Sequence, residues 1–354
     1  MYWVLSCAVA LMSLILVVLL GCSPLRPGHS ETSARIAPVR SVAFWGRDNA
    51  WLVTGMGQLL VTRNGGTTWA TVTEPVVRRF QRLAFVDELT GWAVNDRGEV
   101  WRSTDSGSHW AKISKVPYSR EPHGLGVQKL GFVSAVEGWA SDSLSMWRTY
   151  DGGVTWMRYF VAPRERLELL RDGRLISAGT GWIIDQKGRV YSTADGGRTW
   201  LPLQKATQIN AYSLFFLDDK NCWALGAPGP DPDRTSLYNS DDGGRTWQVQ
   251  YDFGEDEGIT SCYFLDTREG WIVGSRRGLP KTHGMARHTT DGGTTWEYLS
   301  PKDESHWYKQ VYFHDRDSGW LLAPNKLYRT TDRGATWRCV LTVPLEVGQK
   351  TFRD

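Results

Sequence analysis

Seven side chains recur at one place in a repeated motif, and their type suggests chemistry. Asn64, Asp105, Asp151, Asp195, Asp242, Asp291 and Asp332 each stand five residues before a tryptophan, at Trp69, Trp110, Trp156, Trp200, Trp247, Trp296 and Trp337. A Ser or Thr lies two residues earlier each time, as in STADGGRTW from Ser192 to Trp200 and TRNGGTTW from Thr62 to Trp69. Such a carboxylate in a Gly-rich turn could be an acid or base, a calcium ligand, or a staple that accepts hydrogen bonds from its own turn. Asn64 keeps the acceptor without the charge, which suits the staple.

Other chemistry-bearing residues are sparser. His283 and His288 fall within one segment and His306 in the next, without acidic or cysteine neighbours at metal-site spacing, so no metal site is expected. No glycine-rich phosphate loop follows a strand and precedes a helix, and no nucleophile elbow is present, so neither cofactor nor catalytic residues are assigned. Beyond the first 40 residues the cysteines are Cys222, Cys262 and Cys339, an odd number without CxxC spacing. A bridge between Cys222 and Cys262 is open to an exported protein, and buried free thiols are the simpler alternative.

The elements that must position these loops can be read from a second tryptophan series, Trp51, Trp92, Trp139, Trp182, Trp223, Trp271 and Trp320. Upstream of it lie short apolar segments such as LAFVD at Leu83 to Asp87 and QVYFHD at Gln310 to Asp315. Each unit reads as four short strands, none of helical length, and the closing tryptophans are spaced by 41, 46, 44, 47, 49 and 41 residues. That period matches a four-stranded propeller blade. A blade with two apolar faces must stack radially on its neighbours, so the expected fold is all-β, a seven-bladed propeller of antiparallel four-stranded blades over residues 41–342. The two series account for 14 of the 19 tryptophans, which then serve as wedges between blades. In such a ring, seven equivalent loops on one side, six of them with a carboxylate, cannot all face one substrate.

The N-terminus bears on location. Residues 4–21 are uncharged and end at Cys22 after Leu19-Leu20-Gly21. This resembles the lipobox of bacterial lipoproteins, which implies a signal peptide over 1–21, lipidation of Cys22 and an extracytoplasmic, membrane-anchored product; an uncleaved anchor is the alternative. Residues 22–40 are rich in Pro, Ser, Arg and Gly and read as a tether, and 343–354 as a tail. A net charge of +3 is too small to indicate nucleic acid.

The loops at Ser103 to Trp110, Thr149 to Trp156, Thr193 to Trp200 and Thr289 to Trp296 resemble the Asp-box, or BNR, repeat of sialidases and related propellers. Together, GWAVNDRGEVWRSTDSGSHW and GWIIDQKGRVYSTADGGRTW resemble more narrowly the photosystem II assembly and stability factor family of plastids and cyanobacteria. That resemblance implies a lumenal or periplasmic propeller that binds a membrane protein or its assembly intermediate and catalyses nothing. The alternative is a secreted Asp-box glycosidase or glycan-binding propeller. A sialidase needs an arginine triad, a Tyr with a Glu, and an acid-base Asp, and no spacing here singles out that set.

Partner contacts are expected in loops, since strands are committed to packing. The Asp loops are nearly constant in length, so variable material should collect on the opposite rim. Candidate docking residues there are Arg78, Arg79 and Arg82; Lys112 and Lys115; and Arg276, Arg277, Lys281 and Arg287, with Trp307 and Tyr308 as an aromatic anchor.

Overall fold

The computed structural model describes residues 39–72, 79–118, 126–142, 145–161, 170–177, 179–203, 210–228, 234–277, 282–299, 301 and 307–343. Cys22, Arg78, Lys281, the proposed signal, almost all of the tether and all but the first residue of the tail lie outside them.

Seven antiparallel sheets of four strands each follow one another along the chain, every sheet built from four consecutive strands in sequence order. From blade 1 to blade 7 the first strand of each blade packs against that of the next, so these line the central channel and the fourth strands form the outer wall. Among the described residues the blades contain no helix.

Trp51, Trp92, Trp182, Trp223 and Trp271 are at most 2% exposed. Each lies flat on a Phe of the next blade's inner strand, at ring separations of 3.7 Å (Phe85), 3.7 Å (Phe132), 3.5 Å (Phe216), 3.8 Å (Phe264) and 3.6 Å (Phe313). The glycine preceding most of these tryptophans follows from that packing. A Cβ on Gly138 or Gly270 would meet the Phe ring of its own inner strand at 2.4 Å.

No strand is exchanged between first and last blades among the described residues. The ring closes by side chains: Phe44 stacks on Tyr312 at 5.2 Å and on Trp320 at 5.4 Å, and the Trp69 indole donates to the Val340 carbonyl at 3.1 Å. The first inner strand begins at Val39, buried and paired with Thr54, and Val343 is also buried, so the ring runs slightly past both expected boundaries. Cys222 and Cys262 are buried free thiols in separate blade interfaces, each pushed up to about 12 by burial, while Cys339 is exposed.

Candidate partner-binding surfaces

The Asp loop resolves into a hydrogen-bonded clasp. In blade 3 the Thr149 hydroxyl donates to the Asp151 carboxylate at 2.8 Å and accepts from the Gly153 N–H at 2.7 Å. The same carboxylate accepts from the Thr155 N–H at 2.9 Å and the Thr155 hydroxyl at 2.6 Å. Blades 4 to 7 repeat this set at Asp195, Asp242, Asp291 and Asp332, and Asn64 in blade 1 keeps the backbone bond at 2.9 Å. Hydrogen bonds from the Thr199 hydroxyl and then its N–H hold Asp195 at about 2, and Thr295 does the same for Asp291.

One peptide group ties each clasp to its surroundings. The N–H of the residue after the Asp donates to the turn between the first two strands of its own blade, as Gly152 does to Val136 at 2.8 Å and Gly243 to Lys220 at 2.8 Å. In four blades its carbonyl accepts the indole N–H from the preceding blade: Trp51 to Ser106 at 2.7 Å, Trp92 to Gly152 at 2.7 Å, Trp182 to Gly243 at 3.0 Å and Trp271 to Arg333 at 2.9 Å. In the third such junction Arg148 substitutes, donating to Gly196 at 2.6 Å. Trp223 and Trp320 leave their buried indole N–H groups unpartnered. Where serine and arginine replace glycine at this position, Ser106 and Arg333 still adopt the left-handed backbone, φ 62° and 65°. The carboxylates are therefore engaged within their own turns, and no cluster of His, Cys, Asp and Glu suited to a metal occurs among the described residues.

The opposite face receives the links between blades and the turns between second and third strands. The structure distributes the candidate docking residues over three places instead of one rim. Arg79 is exposed just before the second inner strand, at φ 53° and 3.8 Å from the Asp96 carboxylate. Arg82 belongs to that inner strand, Phe80–Phe85, and is half-buried at the channel, where it donates to the Gln128 and Gln81 carbonyls. Lys112 and Lys115 are not link residues: they sit on the outer strand Ala111–Lys115, with Lys112 2.5 Å from Glu99.

The third place is blade 6. Its second and third strands, Gly270–Arg276 and His283–Thr289, have seven residues each, against four to six in the other blades, and pair up to Arg276 opposite His283. This hairpin therefore projects beyond its neighbours on the face away from the clasps. Arg276, the last residue of the second strand, has 56% of its side chain exposed and lies 3.8 Å from Glu257 and 5.9 Å above the Tyr298 ring. The Arg277 N–H donates to the Asp256 carbonyl at 2.7 Å. Arg287 lies deeper, pairing with the buried Glu257 carboxylate and stacking over Tyr298 at 4.9 Å. The two arginines thus converge on the protein's own glutamate.

Trp307 is half-buried, whereas Tyr308 is wholly buried and leaves the candidate anchor. Its ring meets Tyr328 edge-on at 6.1 Å and its N–H donates to the Gly274 carbonyl at 2.9 Å. The aromatic run His306-Trp307-Tyr308 reads as a link, but Tyr308 lies two residues before the inner strand Gln310–Phe313, at the position that Val39, Phe80 and Ile259 fill in other blades. That apolar column was the available signal.

Fold and clasp define the protein as an Asp-box seven-bladed propeller. No protein-family model matches the chain. It is similar to the photosystem II assembly lipoprotein Ycf48 of Synechococcus sp. (strain CC9902), 26% identical over 210 residues, which are 57% of this chain and 60% of that protein. The match therefore spans under two thirds of that relative's length. A solved structure of YCF48 bound to D1 peptide superimposes with a TM-score of 0.63 at 19% identity, covering 84% of this chain and 94% of that one. The GH74 xyloglucanase from Xanthomonas campestris superimposes with a TM-score of 0.66 at 14% identity, over 87% of this chain and 55% of that one. The chain is a seven-bladed propeller, similar in sequence and fold to Ycf48 proteins.

Proposed function

We propose that the chain is a non-enzymatic, extracytoplasmic binding propeller, held to a membrane through Cys22 or the apolar segment before it, that assists assembly or stability of a membrane protein complex. The observation that carries this reading is the blade-6 hairpin, which extends a positively charged end, Arg276 and Arg277, beyond the ring on the face free of clasps. A projecting cationic end suits an acidic segment of a membrane protein, and charge complementarity speeds and orients such encounters. Similarity to Ycf48 supports the same class of partner. Periplasm, cell surface and thylakoid lumen all suit a chain with this N-terminus.

The glycosidase alternative draws on the xyloglucanase likeness, which concerns the fold. Glycoside hydrolysis needs two carboxylates about 5–10 Å apart across an accessible bond. The clasp carboxylates cannot supply them, because each is saturated by donors of its own turn.

The test is an affinity pull-down from detergent-solubilised native membranes, using the full chain, Cys22→Ala, and Arg276→Glu with Arg277→Glu. A membrane protein complex recovered by the full chain and lost on charge reversal is the expected result. Equal recovery by the charge-reversed form would remove the hairpin as the docking site, and hydrolysis of a β-glucan by the purified chain would replace the binding reading with the enzyme.

A further inference from the structure

The inner strands carry a second set of equivalent positions, independent of the docking reading above. Five of them enter the ring through a register irregularity, between Val39 and Ser41, Phe80 and Arg82, Leu170 and Asp172, Ala211 and Ser213, and Ile259 and Ser261. Such a bulge frees one residue from the ladder and re-aims its side chain. From here polar side chains cross to the next blade. Tyr212 donates to the Ile259 carbonyl at 2.8 Å, Thr260 to Tyr308 at 2.6 Å, Lys309 to Val39 at 3.3 Å and Arg171 to Ala211 at 3.2 Å. Arg82 donates to the Gln128 carbonyl, and Lys129 pairs with Asp172 at 3.0 Å. The result is a seam around the mouth of the central channel, on the face away from the clasps.

Tyr212 and Thr260 make this seam without charge, so cations are not required for it. Yet Arg40, Arg171 and Lys309 fill the equivalent position in blades 1, 4 and 7, while in blades 2 and 3 Gln81 and Gln128 fill it and Arg82 and Lys129 stand one residue further on; Asp172 is the only carboxylate among the described residues at these two positions, and five cations less one anion leaves +4. These charges are near enough to act on one another around the channel mouth. Burial, then the charges of Arg82 and Lys129 from blades 2 and 3, lowers the pKa of Lys309 in blade 7; burial, then Arg40, lowers that of Arg82. Backbone carbonyls accept from Arg82, Arg171 and Lys309 but carry no charge to offset theirs, and Arg82 and Lys309 are half-buried, where like charges are costly without a counter-charge of the kind Asp172 gives Lys129.

We propose that this collar binds a small multivalent oxyanion of the phosphate type at the channel mouth, held by Lys309, Arg82 and Lys129 from three blades. Bridging three blades, the anion would also brace the ring, so binding should appear as stabilisation.

The test uses the full chain and pyrophosphate, with binding measured by equilibrium dialysis and by thermal unfolding against sodium chloride of matched ionic strength. Wild type should bind saturably and unfold at higher temperature. Lys309→Gln and Arg82→Gln, which keep an amide donor for the seam while removing charge, should each weaken binding about tenfold, the effect of losing one charged hydrogen bond. Asp172→Asn should tighten it, and Arg198→Gln on the clasp face should leave it unchanged. No saturable binding by wild type and Asp172→Asn, a chloride effect equal to that of pyrophosphate, or the same change in affinity for Lys309→Gln as for Asp172→Asn would each overturn the proposal.

Discussion

The two faces of the ring are built on opposite terms. On the clasp face every blade presents the same turn, with its carboxylate or amide accepting bonds from that turn and its peptide tied to the blade itself and, in most junctions, to the preceding one. On the other face blades differ: blade 6 projects, and five inner strands bring cations to the channel. Regularity on one side stabilises the ring, and irregularity on the other is where selectivity can reside. The contrast rests on local donor bookkeeping, so substitutions on each face should separate stability from binding.

The largest effect should come from the wedges. Trp92 is fully buried, stacked on Phe132 at 3.7 Å and bonded to Gly152. Trp92→Ala should destabilise by about 3–5 kcal/mol through the cavity and the orphaned carbonyl, seen in urea denaturation followed by circular dichroism. Trp45, 39% exposed at the ring surface, makes the control: Trp45→Ala should shift stability by less than about 1 kcal/mol. Comparable losses from both would mean that the blades are not wedged as described.

Next come the clasps. Thr149→Val removes the hydroxyl that both accepts from the buried Gly153 N–H and donates to Asp151, and should cost about 1–3 kcal/mol. The pH dependence follows from the carboxyls. Asp195 and Asp291 are lowered from 3.8 to about 2 in the folded protein, so their contribution is complete above pH 3.8 and is lost as pH falls toward 2. Urea midpoints should drop across that window, and Asp195→Asn with Asp291→Asn should flatten the drop. A midpoint independent of pH there would contradict the clasp.

The clasp face was legible in the sequence because its determinants are local. Ser or Thr, Asp or Asn, Gly and Trp fall within eight residues and recur seven times, so their spacing carries the turn. The channel was not, for a physical reason. Arg82 follows EPVVRRFQ without an apolar alternation, because the bulge between Phe80 and Arg82 breaks the two-residue period just where the strand begins. Lys112 illustrates the other difficulty: the outer strand Ala111–Lys115 has no buried residue, and a strand without a buried face reads as a loop. Tyr308 was misplaced for the reverse reason, since one buried residue between a half-buried tryptophan and a half-buried lysine carries no periodic signal until the blades are aligned in register.

The smallest expected effect sharpens the comparison most. Arg276 is mostly exposed, and its contacts with Glu257 at 3.8 Å and with the Tyr298 ring at 5.9 Å duplicate those that Arg287 makes at closer range. Arg276→Gln with Arg277→Gln should therefore change stability by less than about 0.5 kcal/mol, while Arg287→Gln, which strands the buried Glu257, should cost about 3 kcal/mol or more. Matched losses in urea denaturation would mean that the hairpin tip is part of the scaffold. Unequal losses, with the Arg276 and Arg277 pair dispensable for folding, would leave that projecting charge without a structural role, which is the condition a docking element must meet.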